Sequence, residues 1–226
     1  MKVADIHKTF KLALDKNADA VAFGGCPAFL PQEIDSFLNQ AYLQVIQNKF
    51  TGSLNQIPFE GNAKRIADLQ KLIKTDTKIS LEPSLTTNEL TLNNFRGDSK
   101  KRMFYVNAVL NFNNNKATCI LINHSEVNQF KSTYNNEPWI ESPAITIENN
   151  TLKVYIDKYT MEAPYSIDIT YVKEPEKINY KTPNIEIDEV PDSVIYEVIE
   201  RAAMLALENI ESQRTATKAQ MSNLQE

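Results

Sequence analysis

Residues 191–212 read PDSVIYEVIERAAMLALENIES, and this stretch decides how the rest of the chain is organised. Val194, Ile195, Val198, Ile199, Ala202, Leu205, Ala206 and Ile210 recur at three- and four-residue spacing, which predicts a helix with a broad apolar stripe. Pro191 and Asp192 supply its start signals, and the pattern ends near Ser212. A stripe this wide needs a partner of the same kind. The other helical patterns lie at the opposite end of the chain. Val3, Ile6, Phe10 and Leu14 predict a helix from about Val3 to Lys16. Pro31 opens a second, in which Ile34, Phe37, Leu38, Ala41 and Val45 share a face as far as about Lys49. After a turn over residues 52–58, Ala63, Ile66, Leu69, Leu72 and Ile73 repeat at helical period, with Lys64, Arg65, Asp68 and Lys71 outside, so helix is expected to about residue 75.

From about Lys78 to Val172 the period changes to two, with β-branched and aromatic residues. Leu152, Val154 and Ile156 alternate with Lys153, Tyr155 and Asp157; Ile167, Ile169 and Tyr171 alternate with Ser166, Asp168 and Thr170. Met103–Phe112 and Ala117–Asn123 read as a hairpin turning at 113–116, and six or seven antiparallel strands are expected in all. Pro175, Pro183 and Pro191, set among charges, make 174–191 an extended surface connector. The fold expected is therefore α+β: a helical bundle built from the N- and C-terminal helices, with an antiparallel β domain inserted. Its parts are residues 1–76, the inserted 77–175, the connector and closing helix 176–212, and a polar tail 213–226.

The chain has 226 residues, 24 Lys+Arg against 29 Asp+Glu, and 42% hydrophobic residues, an ordinary globular balance long enough for one large core or two modest ones. Asn takes over turn work: there are 23 Asn against 5 Gly, several in pairs such as Asn135-Asn136 and Asn149-Asn150. Cys26 and Cys119 give no disulfide framework and no four-cysteine zinc site, and both are expected to be reduced and buried. The N-terminal stretch carries Asp5, His7 and Lys8 where a signal peptide would be apolar, and the most apolar run, 18–30, is too short and too interrupted to span a bilayer, so no membrane role is expected. A net charge of −5 argues against a chain whose main task is gripping nucleic acid, since that affinity comes from cations displacing counterions.

Signs of catalysis are sparse. There are two histidines, and no phosphate loop, dinucleotide fingerprint, nucleophile elbow, zincin motif or EF-hand loop. His124-Ser125-Glu126 contains the residue types of a triad, but neighbours along a strand point to opposite faces, so a polar cluster at a strand end is the reading taken. Gly24-Gly25 is read as a turn between helices. No enzyme, cofactor or metal is expected. Two sets of residues are candidates for contact. Arg96, Lys100, Lys101 and Arg102 form the densest basic stretch, read as a solvated basic loop before the strand from Met103. Gln213, Arg214, Lys218, Met221 and Leu224, in the polar tail, are candidates for docking on a partner. Trp139, the single tryptophan, is expected to seal the edge of the β core, with a sugar-stacking platform as the competing role.

Phe29-Leu30-Pro31-Gln32-Glu33-Ile34-Asp35, continuing into Phe37-Leu38-Asn39-Gln40-Ala41, resembles the opening motif of neck proteins in tailed bacteriophages, most of all those of crAss-like phages. Pro138-Trp139-Ile140, the strand end Ile169-Thr170-Tyr171-Val172-Lys173-Glu174-Pro175, and the helix Val194–Ile210 with its polar tail follow in the same order, so the likeness spreads over most of the chain. The resemblance implies a virion protein assembled in the host bacterial cytoplasm: a homo-oligomeric ring, commonly twelvefold, beneath the portal protein and in contact with other neck or tail proteins. Double-stranded DNA would pass through its lumen without sequence-specific binding, and the tail from Gln213 would reach the portal. A mildly acidic subunit suits a conduit that must not hold its cargo. A carbohydrate- or host-surface-binding β module of a virion, using Trp139, Tyr134 and Tyr155, is the alternative. A hydrolase using Asp157 and Glu162 is the third reading.

Overall fold

The structure is a computed structural model that describes residues 1–17, 29–52, 61–83, 89–93, 95, 101–113, 115–132, 137–148, 150–157, 164 and 166–209. It combines helices with antiparallel sheets, the α+β class expected from the sequence. The chain divides into two compact units, residues 1–72 with 175–226, and residues 73–174.

The first unit is helical. Helix α1 (Val3–Asn17) and α2 (Pro31–Thr51) both pack on the long helix near the C-terminus, α5 (Asp192–Asn209), and a short α3 (Ala63–Leu69) packs on α2. Most of the apolar stripes read from the sequence are buried: Val3, Ile6, Phe10 and Leu14 on α1; Ile34, Leu38, Ala41 and Val45 on α2; Val194, Ile195, Val198, Ile199, Ala202 and Ala206 on α5. Phe37 and Leu205 are only half-buried, and Tyr42, Ile46, Ala203, Met204 and Leu207, outside the stripes as read, are buried as well. Local chemistry sets the ends of α2. Leu30 is extended with its N–H donating 2.8 Å to Glu33 Oε2, Pro31 sits in the first turn where its missing donor is not needed, and Gly52 closes the helix in the left-handed region at φ 69°. At α3, Asn62 Oδ1 accepts from the Lys64 N–H at 3.0 Å.

Residues 175–190 form no helix or named strand, and 183–187 pair with the N-terminal end of α1. The first amides of α1, which have no partner inside the helix, donate outward: Val3 N–H to Ile185 O and Ala4 N–H to Pro183 O, both at 3.1 Å. Lys2 and Glu186 form an antiparallel bridge, and Ile178 and Val190 are buried.

The second unit is two sheets packed face to face with an apolar layer between them. One sheet has the order β1 (Ile73–Ile79), β9 (Ser166–Lys173), β4 (Arg102–Asn111), β5 (Lys116–Thr118). The other has the order β2 (Glu82–Pro83), β3 (Glu89–Leu92), β8 (Thr151–Tyr155), β7 (Ala144–Glu148), β6 (Ile120–Leu121). Ala108, Leu110, Ile167, Ile169 and Tyr171 from the first meet Ile145, Leu152 and Val154 from the second.

Three boundaries differ from expectation. The helix expected to run to about residue 75 ends at Leu69, and Ile73, Lys74, Thr75 and Asp76 pair antiparallel with Val172, Tyr171, Thr170 and Ile169. A short helical pattern lost to a long strand partner, because alternate residues of β1 gain ladder bonds to β9 that a frayed helix end lacks. The strand expected over Ala117–Asn123 is split between sheets: the Cys119 N–H still donates to Ala108 O of β4 (2.9 Å), whereas the Ile120 N–H donates to Pro143 O (2.8 Å) and Ile122 to Ile145 O (3.0 Å). That switch makes β6 pair in parallel with β7, the exception to an otherwise antiparallel domain among the described residues. Finally, a short helix α4 (Val127–Ser132) stands where none was expected, with Val127 and Phe130 packed against Ile122, Ala144 and Tyr155.

Candidate interaction surfaces

The tail residues Gln213, Arg214, Lys218, Met221 and Leu224 lie outside the described residues, as do Arg96 and Lys100 of the basic loop, Gly24, Gly25, Cys26, Tyr134 and Glu162. Lys101 is exposed at φ 45°, and its carbonyl accepts the Glu174 N–H at 2.7 Å.

Arg102 is a correction. It was expected in a solvated basic loop; it starts β4 and is only 6% exposed. Its Nη1 donates to Phe95 O and its Nη2 to Asp76 Oδ2, both at 2.5 Å, and the guanidinium lies 5.2 Å from the Phe95 ring centroid and 5.0 Å from that of Tyr171. A guanidinium is the cation that tolerates this position, because it is weakly hydrated, planar and able to lie against aromatic rings. Its charge is spent inside the sandwich and is not available to phosphate. Sequence spacing alone groups it with its cationic neighbours; its place as the first strand residue opposite Lys173 is what turns it inward.

The residue types of catalysis are also held structurally. The His124 imidazole lies 3.0 Å from Ile147 O, and Glu126 opens the turn into α4, with the Phe130 N–H donating to its carbonyl at 2.9 Å, so the three residues follow a turn rather than a strand. Cys119 is buried, and burial pushes its thiol up to about 12, away from the thiolate a nucleophile needs. Asp157 is buried. No group of three or more His, Cys, Asp or Glu suited to a metal ion occurs among the described residues, and no described helix is long and apolar enough to cross a membrane.

The helical unit contains two charged clusters between its elements. His7 on α1 is buried, with Nε2 2.9 Å from Asp35 Oδ1 on α2 and its ring 4.8 Å from that of Tyr180 in the connector, tilted 41° to it. Burial holds this imidazole below its ordinary value, although the bond to Asp35 opposes the shift. Lys49 on α2 joins Asp68 of α3 at 2.9 Å to Glu197 of α5 at 2.6 Å. Burial works against that charge, but the hydrogen bonds to Glu197 and Asp68 outweigh it and hold the ammonium above its ordinary value.

The remaining candidates are apolar side chains facing solvent. On the helical unit Leu12 (51% exposed), Leu43 (38%) and Tyr196 (51%) stand one on each long helix, and Leu30, Ile66, Tyr180 and Ile185 are exposed as well. On the sandwich they are Ile120 and Leu121, which make up the edge strand β6, and Trp139. Trp139 does not seal the core as expected. It is 57% exposed in a tight turn bridged to Ser142, and its neighbour Ile140 packs on the core instead. Tyr155, grouped with it in the alternative reading, is buried with its hydroxyl 3.2 Å from Thr146 Oγ1. Reading the sequence for apolar stripes passes over Leu12 and Tyr196; the signal that marks them is that they are apolar residues falling off the stripes of their own helices. Comparison of the chain with family models finds no match, and comparison with curated proteins finds none either.

Proposed function

We propose that this chain is a structural protein of a tailed-phage neck, forming a homo-oligomeric ring, commonly twelvefold, beneath the portal and extending the DNA channel without catalysis. The observation that carries the proposal is the placing of large exposed apolar side chains on all three long helices, Leu12, Leu43 and Tyr196, together with the apolar edge strand Ile120-Leu121. Isolated exposed apolar residues need no explanation, but an aromatic or Leu on each wall of a helical bundle suits a subunit with neighbours on several sides. The resemblance of the Phe29–Ala41 stretch supports the same reading. In this role the segment from Gln213 docks on the portal, and the net charge of −5 keeps duplex DNA from being held as it passes. The virion is its site of action, after assembly in the host cytoplasm.

The deciding experiment is a cryo-EM average of the native particle's neck without imposed symmetry. A closed ring of this chain against the portal is the expected result, and removal of residues 213–226 is expected to abolish portal docking. Absence of the chain from the neck overturns the proposal.

The exposure of Trp139 favours a second reading, a host-surface glycan-binding module. There, Trp139→Ala removes glycan binding and leaves assembly intact; a connector shows no glycan binding to lose.

A further inference from the structure

Among the described residues, the sheets of the second unit end in the edge strands β1 and β5 in one, β2 and β6 in the other. An open edge invites pairing with a foreign strand, and three of these edges carry features that discourage it. β1 has the exposed cations Lys74 and Lys78 and a bulge between Asp76 and Ile79, β2 contains Pro83, and β5 begins with the exposed Lys116. β6 is as short as β2, but it consists of Ile120 and Leu121, 48% and 53% exposed, with no charge and no proline.

Half of the β6 backbone is engaged. The Ile120 N–H donates to Pro143 O and the Ile122 N–H to Ile145 O, so both residues turn their main-chain groups toward β7. Successive residues of a strand turn these groups to opposite sides, which aims the N–H and C=O of Leu121 at the open side. Both sheet faces are apolar here. Ile120 pairs with Ala144 and shares the face on which Val127 and Phe130 of α4 pack, whereas Leu121 pairs with Ile145 and shares the face toward the sandwich core. The exposed Trp139 belongs to the same end of the sheet: its turn closes at Ser142, next to the Pro143 that receives the Ile120 N–H.

We propose that β6 receives an extended segment of another protein as a further strand of its sheet, paired through the N–H and C=O of Leu121. This contact does not depend on the connector reading. Residues opposite one another in a ladder share a face, so the residue facing Leu121 packs beside it and that residue's neighbours pack on the side of Ile120. The segment that fits is therefore uncharged, with consecutive apolar, β-branched residues rather than an apolar–polar alternation. A second copy of β6 fits less well. It too turns one residue outward, because Cys119 gives its amide to Ala108 of the other sheet and the Asn123 carbonyl accepts the Glu126 N–H. Two edges so short exchange a single pair of bonds, whereas a longer segment also reaches Trp139.

The probe is a synthetic peptide, Ser-Thr-Val-Ile-Val-Thr-Ser, titrated into the full isotope-labelled chain and followed by NMR amide exchange. The Leu121 amide is expected to exchange about tenfold or more slowly with the peptide bound than in the chain alone. The same peptide N-methylated along Val-Ile-Val keeps its side chains but cannot form a ladder, and no binding is expected. Leu121→Pro removes the outward N–H and leaves the bonds of Ile120 and Ile122 to β7, a change that an edge strand tolerates, and is expected to bind the peptide about tenfold or more weakly. Leu121→Lys places a charge on the edge with the same expected result, and it decides the matter if circular dichroism shows the proline variant unfolded. The proposal is overturned if the peptide leaves Leu121 exchange unchanged, if the N-methylated peptide binds equally well, or if the folded variants bind like the unmodified chain. It is also overturned if the chain alone dimerises and Leu121→Lys returns it to monomer, since a second copy then holds the edge.

Discussion

The Asn39 side chain of α2 pairs with the backbone of Ile178 as a neighbouring strand would: Nδ2 donates to Ile178 O at 2.9 Å, and Oδ1 accepts the Ile178 N–H at 2.8 Å. One carboxamide therefore satisfies both polar groups of a buried residue 139 positions along the chain. One turn earlier on α2, Asp35 receives the Tyr180 N–H at 3.1 Å and faces His7, so two polar residues on one face of α2 fasten the connector to the bundle. The connector pairs its backbone with the N-terminus only around residues 183–187, and at Ile178 and Tyr180 side chains of α2 take that role.

Asn39→Ala removes both bonds and leaves the Ile178 amide and carbonyl without partners where water has poor access. The expected cost is about 2–3 kcal/mol in urea unfolding, set by the desolvated groups rather than by the bonds themselves. Gln40→Ala, at the next and exposed position, is expected to stay within about 0.5 kcal/mol. Equal effects at the two positions would remove Asn39 from its fastening role.

His7 predicts a loss of stability in acid. Burial, the largest influence, puts its folded-state value below the ordinary 6.5, with Asp35 opposing and Lys11 adding to the shift. The unfolded chain therefore binds the proton more readily, so this group's contribution is fully present above 6.5 and declines as the pH falls through 6.5 toward the folded value. Comparing urea midpoints at about pH 8 and about pH 5, His7→Gln should lose less than the unmodified chain, because its side chain does not titrate. An unchanged difference between the two pH values would show that His7 does not set it.

Arg102→Ala leaves Asp76 without its cation and empties the space between Phe95 and Tyr171. The expected destabilisation is about 3–5 kcal/mol, the range for breaking a buried pair from one side. Arg102→Lys keeps the charge but not the planar fork that reaches Phe95 O and Asp76 together, so it is expected to restore only part of the loss. A fully stable Arg102→Lys would mean that charge alone matters here.

Ile199 is 1% exposed in the middle of the α5 stripe. Ile199→Asp forces a carboxylate into the helical core at several kcal/mol, and soluble folded protein is not expected. Ile199→Val, which removes one methyl group, is expected to fold at a cost of about 0.5–1.5 kcal/mol. Circular dichroism on both variants separates a burial effect from general intolerance at this position.

The long elements were legible because their periodicity spans many turns or a full strand. α1, α2 and α5, the alternation in β8 and β9, and the β4–β5 hairpin follow from which residues recur on one face. Short segments were not legible. Ile73 continues a helical pattern yet is pulled into β1 by β9, and Cys119-Ile120 changes sheets in mid-run because two different strands compete for adjacent amides. The site shows the same division. Leu12 and Tyr196 are passed over by a reading for stripes and marked only as apolar residues on polar faces, while Arg102 looks like one cation of a basic run until its neighbours in space are known.

By itself, the sequence determined the α+β class and the apolar stripes, because burial is encoded in the spacing of side chains along the chain and needs no knowledge of the partner. It equally determined the acidic balance, a net charge of −5. Only the tertiary structure decided where helix yields to strand, which strand pairs in parallel, and whether a cation such as Arg102 or an aromatic such as Trp139 faces core or solvent. Those outcomes depend on which backbone amides and which rings arrive beside them from distant parts of the chain, and free energies of a few kcal/mol between such neighbours settle them.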